Sequence, residues 1–347
     1  MNTIPPCLFK RGTNISHWLS QSDQRGAARR KFFTQDDVKR IADWGFDHIR
    51  LPIDEQQMWS NSGAQESEAF DLMDSALDWA EASGLKMIID LHILRSHFFI
   101  SATEPALFTD PAEAEKFAGL WHQLSARLKH RPVGRVAYEL MNEAVATDAE
   151  DWNRVYQVAF KAIRDLEPDR KIIVGSNRWN SALTFDLLRV PDDKETILTF
   201  HFYLPMLITH HQGRWCPEGR MYDGPVQYPG RPIPEAHLSE ARIPEGDRLV
   251  QLTIEQLNQP YNRDSMVRDM AKPIAAARKA GLPLYCGEFG VIDTVPLPVR
   301  AAWYNDLISV FNEYNIGWGN WDYKGEFGII DHDGKTTGVA EAMLSAV

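Results

Sequence analysis

Short apolar runs, each about the length of a buried strand, alternate along the chain with longer stretches whose apolar residues recur every three or four positions. The first pattern fits a strand covered on both faces; the second fits a helix with one buried stripe. "LFKRGTN" (Leu8 to Asn14) predicts strand one. A helix follows at "TQDDVKRIADWG", with Thr34 as N-cap, Asp37 at the capping-box position and Gly45 as stop. "FDHIRLPI" predicts strand two and "ESEAFDLMDSALDWAEASG" a helix closed by Gly84. "LKMIIDLH" predicts strand three, and the next helix starts at Asp110 with Pro111 in its first position. "RVAYELMNE" is strand four, followed by a helix from about Ala149 to Leu166. "KIIVGSN" is strand five, with a short helix near Asn180 to Leu188, and "TILTFHFY" is strand six. "DSMVRDMAKPIAAARKAG" is helical, with Pro273 kinking it or starting its main part. "LPLYCGEFG" is strand seven, "LPVRAAWYNDLISVFNEYN" a helix, "IGWGNWDY" strand eight and "TTGVAEAMLSAV" a last helix.

Eight strands, each followed by a helix or by a loop containing one, predict a (β/α)8 TIM barrel of the α/β class. An open doubly wound sheet also alternates, but it usually carries a glycine-rich phosphate turn after its first strand, and "RGTNISHW" is no G-x-G-x-x-G. No internal repeat and no low-complexity linker divides the chain, so residues 1–347 read as a single catalytic domain. The segment 204–263 is too long for a bare connector. It holds Trp215, Tyr222, Tyr228 and Tyr261, which suit a lid or a subsite wall.

Composition narrows the partners. The net charge of −11 and the lack of a basic run argue against nucleic acid and against an anionic membrane surface. No stretch approaches the length of a membrane span. Three widely spaced cysteines, Cys7, Cys216 and Cys286, form no disulfide framework. "MNTIPPCLFKRG" is too short and polar to serve as a secretion signal. If Met1 is the native start the protein is cytoplasmic; if a leader was removed ahead of it the protein is secreted. A monomer is expected.

In a barrel the C-terminal ends of the strands face the active site. Here they present Asn14, with His17 and Trp18 just beyond, then Arg50, His92, Asn142 with Glu143, His201 with Tyr203, Glu288, and Trp321. A face selected for stability alone has no need of that polar, titratable set. Glu143 and Glu288 sit on strands four and seven, and a pair of opposed carboxylates is the equipment for cleaving a glycosidic bond. Arg50, His201 and Tyr203 are expected near Glu288, keeping it ionised as a nucleophile. Glu143 is then the acid that protonates the leaving oxygen, and the base of the second step. Asn142 suits the 2-hydroxyl of the reacting sugar, and Trp321 its hydrophobic floor.

The same residues, in "FDHIRLP", "IIDLH", "LMNE", "FHFY", "GEFG" and "GNWDY", occur in an order and on strands that resemble glycoside hydrolase family 5. The resemblance covers residues 8 to 323. It implies retaining hydrolysis of β-linked glucans or mannans, with Glu143 as acid and base, Glu288 as nucleophile, and no metal or organic cofactor. Ala144 departs from the proline that often follows the strand-four glutamate. The expected substrate is β-1,4-glucan cut in endo fashion; mannan, or exo action on short oligosaccharides, is the alternative. His210, His211 and Trp215 are further subsite candidates. A metallohydrolase built on Asp90, His92 and His201 and a barrel that binds carbohydrate without turnover are the readings from other classes.

Overall fold

The computed structural model describes residues 3–243 and 253–345. Within these the predicted strands form one closed parallel barrel in sequence order. They are β1 (Arg11–Asn14), β2 (His48–Asp54), β3 (Lys86–Ile93), β4 (Val136–Glu139), β5 (Ile172–Gly175), β6 (Thr196–Phe202), β7 (Leu284–Phe289) and β8 (Gly317–Asn320). Every residue of β2, β4, β5, β6, β7 and β8 is buried, as expected of parallel strands lined inside by side chains and covered outside by helices.

The local signals explain most boundaries. Thr34 caps Gln35–Asp43, its backbone N–H donating 2.9 Å to the Asp37 carboxylate, and Gly45 follows at φ 92°. Asp110 accepts from the Ala112 N–H at the head of Pro111–Leu128. The helical stretch around Pro273 breaks at Met270 into Arg263–Asp269 and Ala271–Ala280, so Pro273 occupies a first turn, where its missing N–H costs nothing. Strand one is shorter than expected. Cys7 and Phe9 leave the ladder and join Ile88, Ala137, Ile173, Ile197 and Tyr285 in a buried apolar cluster. Gly317 makes room for this, since a Cβ there would stand 1.9 Å from the Phe9 carbonyl oxygen. Gly12 similarly leaves space for His48, whose Nε2 meets the Tyr285 hydroxyl at 2.8 Å.

Two compact units are distinguished. The first, Met1–His201, Lys272–Gly287 and Asn315–Gly319, contains β1 to β5 and most of β6, β7 and β8. The second, Phe202–Ala271, Glu288–Tyr314 and Asn320–Val347, holds the last residues of β6, β7 and β8 and the segments that follow them. The long segment after β6 belongs to it, except that residues 244–252 of the predicted 204–263 loop lie outside the described residues. Tyr228 and Tyr261 do not line a wall. Both are buried, with hydroxyls donated to Asp306 at 2.7 Å and Asp269 at 2.8 Å, and they pack this unit together.

Candidate active site

In the first unit the strand register assembles a polar layer inside the barrel. Asn14 pairs with Arg50, and Asp90 with Glu139. Alternation along each strand turns these side chains inward. The Arg50 guanidinium is wholly buried and donates to both oxygens of Glu139 at 2.7 and 3.0 Å. It also reaches Asn14 Oδ1 at 2.8 Å, Asn142 Oδ1 at 3.0 Å and Asp90 Oδ2 at 3.0 Å. Burial pushes Asp90 and Glu139 each up to about 7, against the pull of Arg50. Asp90 Oδ2 also meets His92 Nδ1 at 2.7 Å. The same Asp90 oxygen thus serves both the Arg50 guanidinium and His92, a partnership that competes with metal ligation by this pair.

Each amide on this layer is fixed by its partners. Asn14 Nδ2 donates to the Gly287 carbonyl at 3.0 Å, which ties β1 to β7. Asn142 gives its oxygen to Arg50, so its NH2 group is the end left to point elsewhere.

The regular ladder of β4 stops at Glu139, four residues earlier than the sequence suggests. Residues 140–143 leave the strand, and Glu143 adopts φ 36°, uncommon for a residue with a side chain. Its carboxylate Oε1 lies 2.9 Å from His201 Nδ1. Burial, with Arg50 and His92 nearby, holds His201 well below the usual histidine range, so its ring is neutral. The backbone after Glu143 is braced by the segment after β5. The Asn177 side chain accepts from the Ala146 N–H at 2.9 Å and donates to the Ala146 carbonyl at 2.8 Å. Trp179 N–H donates to the Ala144 carbonyl at 3.1 Å, and its indole N–H to Phe99 at 2.7 Å. Arg178, Trp179 and Asn180 all have positive φ, at 60°, 60° and 49°. Strand five offered no candidate in the sequence, so this brace was missed. The asparagine-rich string "SNRWNS" was its one visible signal, since asparagine tolerates that backbone region better than most residues.

In the second unit Glu288 continues β7, with one carboxylate oxygen 3.1 Å from the Tyr203 hydroxyl. Tyr203 stands one residue beyond β6 and Trp321 one beyond β8, where the Trp321 N–H donates to Phe289 at 2.9 Å. Trp215 is 51% exposed and packs against His210 and Phe327. The His210 ring sits among Tyr203, Trp215 and Phe327, and burial lowers it to about 4.

Two candidates are corrected. Trp18 is fully buried, donates to the Arg29 carbonyl at 2.8 Å and packs on Phe33, so it belongs to the core. His211 is buried against Tyr222 while its carbonyl takes the Thr294 hydroxyl at 2.6 Å, so it secures the loop. His17 lies on an exposed turn at φ 58°, its Nδ1 2.8 Å from the Ser16 hydroxyl.

Comparison with known proteins places this arrangement. The family model described as cellulase (glycosyl hydrolase family 5) matches residues 11–327. The chain is 31% identical over 331 residues to endoglucanase C of Acetivibrio thermocellus, spanning 94% of this chain and 95% of that protein. It is 29% identical over 310 residues to cellodextrinase A of Ruminococcus flavefaciens, spanning 88% and 83% of the two chains. In backbone it is similar to an endoglucanase of Thermotoga maritima, with a TM-score of 0.75 over 97% of both chains at 23% identity.

Proposed function

The chain belongs to glycosyl hydrolase family 5, the cellulases, and from that premise we propose that it cleaves β-1,4 bonds within glucan chains, with Glu288 as nucleophile and Glu143 as acid and base. It is a glycoside hydrolase that acts with retention. The observation that carries the assignment is the strand order, in which β4 leads into Glu143 and Glu288 is the next-to-last residue of β7, since barrel enzymes carry their chemistry at the C-terminal ends of strands. The full-length similarity to endoglucanase C supports glucan as substrate.

In the first step Glu288 attacks the anomeric carbon while Glu143 gives its proton to the departing oxygen, leaving a glycosyl-enzyme ester. Tyr203, donating to Glu288 in the free enzyme, favours its ionised form. In the second step Glu143 removes a proton from water, which attacks the ester carbon and restores the starting configuration. Asn142, its oxygen committed to Arg50, directs its NH2 group to the sugar 2-hydroxyl. Trp321 forms the floor beneath that sugar, and Trp215 offers a face to a more distant one. Asn14, Arg50 and His92 belong to the layer that holds Asn142, His17 lies on an exposed turn, and the single chain is the working unit.

Proton NMR of products released from cellohexaose tests the proposal. Newly formed β-anomers arising from internal bonds are expected. An α-anomer as first product would sink the double displacement, and mono- or disaccharide released only from one end would sink the endo assignment.

A further inference from the structure

Neutral histidine carries one ring proton, and which nitrogen holds it decides whether the ring gives or takes a hydrogen bond at each face. His201 is such a ring. Its Nδ1 faces Glu143 Oε1 at 2.9 Å, and its Nε2 faces the side-chain nitrogen of Asn180 at 3.4 Å. With the Asn180 amide nitrogen turned toward it, Nε2 is the acceptor and the ring proton falls on Nδ1. That proton points at Glu143. The opposite tautomer would set the Nδ1 lone pair against the carboxylate oxygen whenever Glu143 is ionised.

Asn180 is held firmly for this purpose. It is fully buried and is the last of the three consecutive residues with positive φ. Its carbonyl takes the His201 backbone N–H at 2.8 Å, and the next residue, Ser181, bridges to His201. Its amide lies over Gly175, where any Cβ would stand 2.3 Å from Asn180 Oδ1. The Asn177 clamp and the Trp179 bonds fix the other end of the segment to the backbone of Glu143's loop. One six-residue stretch therefore holds both the main chain beyond Glu143 and the partner of its carboxylate.

We propose that Asn180 is a positioning residue that fixes His201 as the Nδ1–H tautomer, so that Oε1 of Glu143 is occupied as an acceptor and Oε2 carries the proton delivered to the leaving group. This rests on the acid role of Glu143. In the first step the O–H bond of Oε2 breaks, and its electrons remain on Glu143 as the glycosidic oxygen takes the proton. The Nδ1–H bond then stabilises the carboxylate so formed, and no proton leaves His201. The charged and titratable groups around this pair are Arg50 from β2, His92 from β3, and His97 after β3, near the Glu143 carbonyl. Burial lowers His97 to about 3, so it stays neutral throughout the working range.

The test uses the full chain labelled with 15N-histidine, with the His201 signals assigned by their loss in His201→Gln. Long-range 15N–1H NMR should show Nδ1 protonated and Nε2 bare in the parent. Asn180→Asp supplies an acceptor opposite Nε2 and should move the proton there. In that variant the alkaline limb of kcat/KM should rise, because an ionised Glu143 loses its donor. Turnover should fall about ten- to a hundredfold on cellobiosides with poor leaving groups, yet change little on dinitrophenyl cellobioside, which needs no acid. A bare Nδ1 in the parent overturns the proposal whether or not the variant folds. So does an unchanged tautomer in Asn180→Asp, or an equal loss on both substrates. Full activity in Glu143→Gln would remove the acid role instead, leaving the tautomer measurement to stand by itself.

Discussion

Replacing Arg50 by lysine keeps a positive charge in the barrel and removes the fork that distributes it. In the parent the guanidinium makes two bonds to Glu139, one to Asp90 and one to each of two buried amides, Asn14 and Asn142. A lysine ammonium at the end of a flexible stem can satisfy one carboxylate, but it cannot span all four side chains. At a minimum the two amide oxygens lose a charged donor in a site closed to water. At about 1.5–3 kcal/mol for each such bond the expected loss is ~3–6 kcal/mol. That is a large part of the roughly 5–15 kcal/mol that holds a domain folded. Urea unfolding at pH 7, followed by tryptophan fluorescence and circular dichroism, reads the loss directly. The same substitution frees the Asn142 amide to turn, so kcat/KM should fall on an aryl β-glucoside more than on its 2-deoxy analogue. Stability within about 1 kcal/mol of the parent would refute the idea that this fork organises the layer. Equal losses on the two glycosides would refute the link from Arg50 to Asn142.

Glu288→Gly and Glu143→Ala should each lower activity by several orders of magnitude, and added azide should rescue them to opposite products, the α-glycosyl azide for the first and the β-azide for the second. The same azide anomer from both would reverse or remove one assignment. Asp54 is buried and raised from 3.8 to about 7, so the folded chain keeps its proton where the unfolded chain has lost it. Stability from this group is therefore full below about pH 4 and drains away as the pH climbs to about 7. Asp54→Asn escapes that loss and should gain stability at pH 8, up to ~4 kcal/mol, with a far smaller gain at pH 4.5. Melting-temperature differences that match at the two pH values would contradict this. Trp215→Ala removes an exposed ring and should raise KM for cellohexaose about two- to tenfold with kcat and melting temperature unchanged. An unchanged KM would exclude Trp215 from the sugar path.

The fold was legible because its signals are local and repeated. Thr34 with Asp37, Asp110 with Pro111, and the doubly buried strands each declare themselves within a few residues. The strand-end residues were legible because a barrel turns chain order into position on a rim. Burial and partnership were not. Trp18 has the composition of a sugar platform and becomes core because the Arg29 carbonyl and Phe33 enclose it. Arg50 looked like a direct companion of Glu288, whereas Glu139 and Asp90 divide its charge through register pairings that no short window of sequence contains. The brace of Asn177 to Asn180 was invisible for the same reason, since its partners Ala146 and His201 lie 31 and 21 residues away.

The paired bonds between the Asn177 side chain and Ala146 copy the geometry of a rung in a sheet, with an amide side chain standing in for a peptide. Ala146 is buried, so its N–H has neither solvent nor an idle neighbour to trade protons with. Hydrogen exchange at Ala146 should accordingly be slow, with the protection of a core strand inside what is formally a loop. Aspartate at 177 would set a second acceptor against the Ala146 carbonyl and open that rung. The loop that follows Glu143 would then be free to breathe on its own, well before the barrel unfolds.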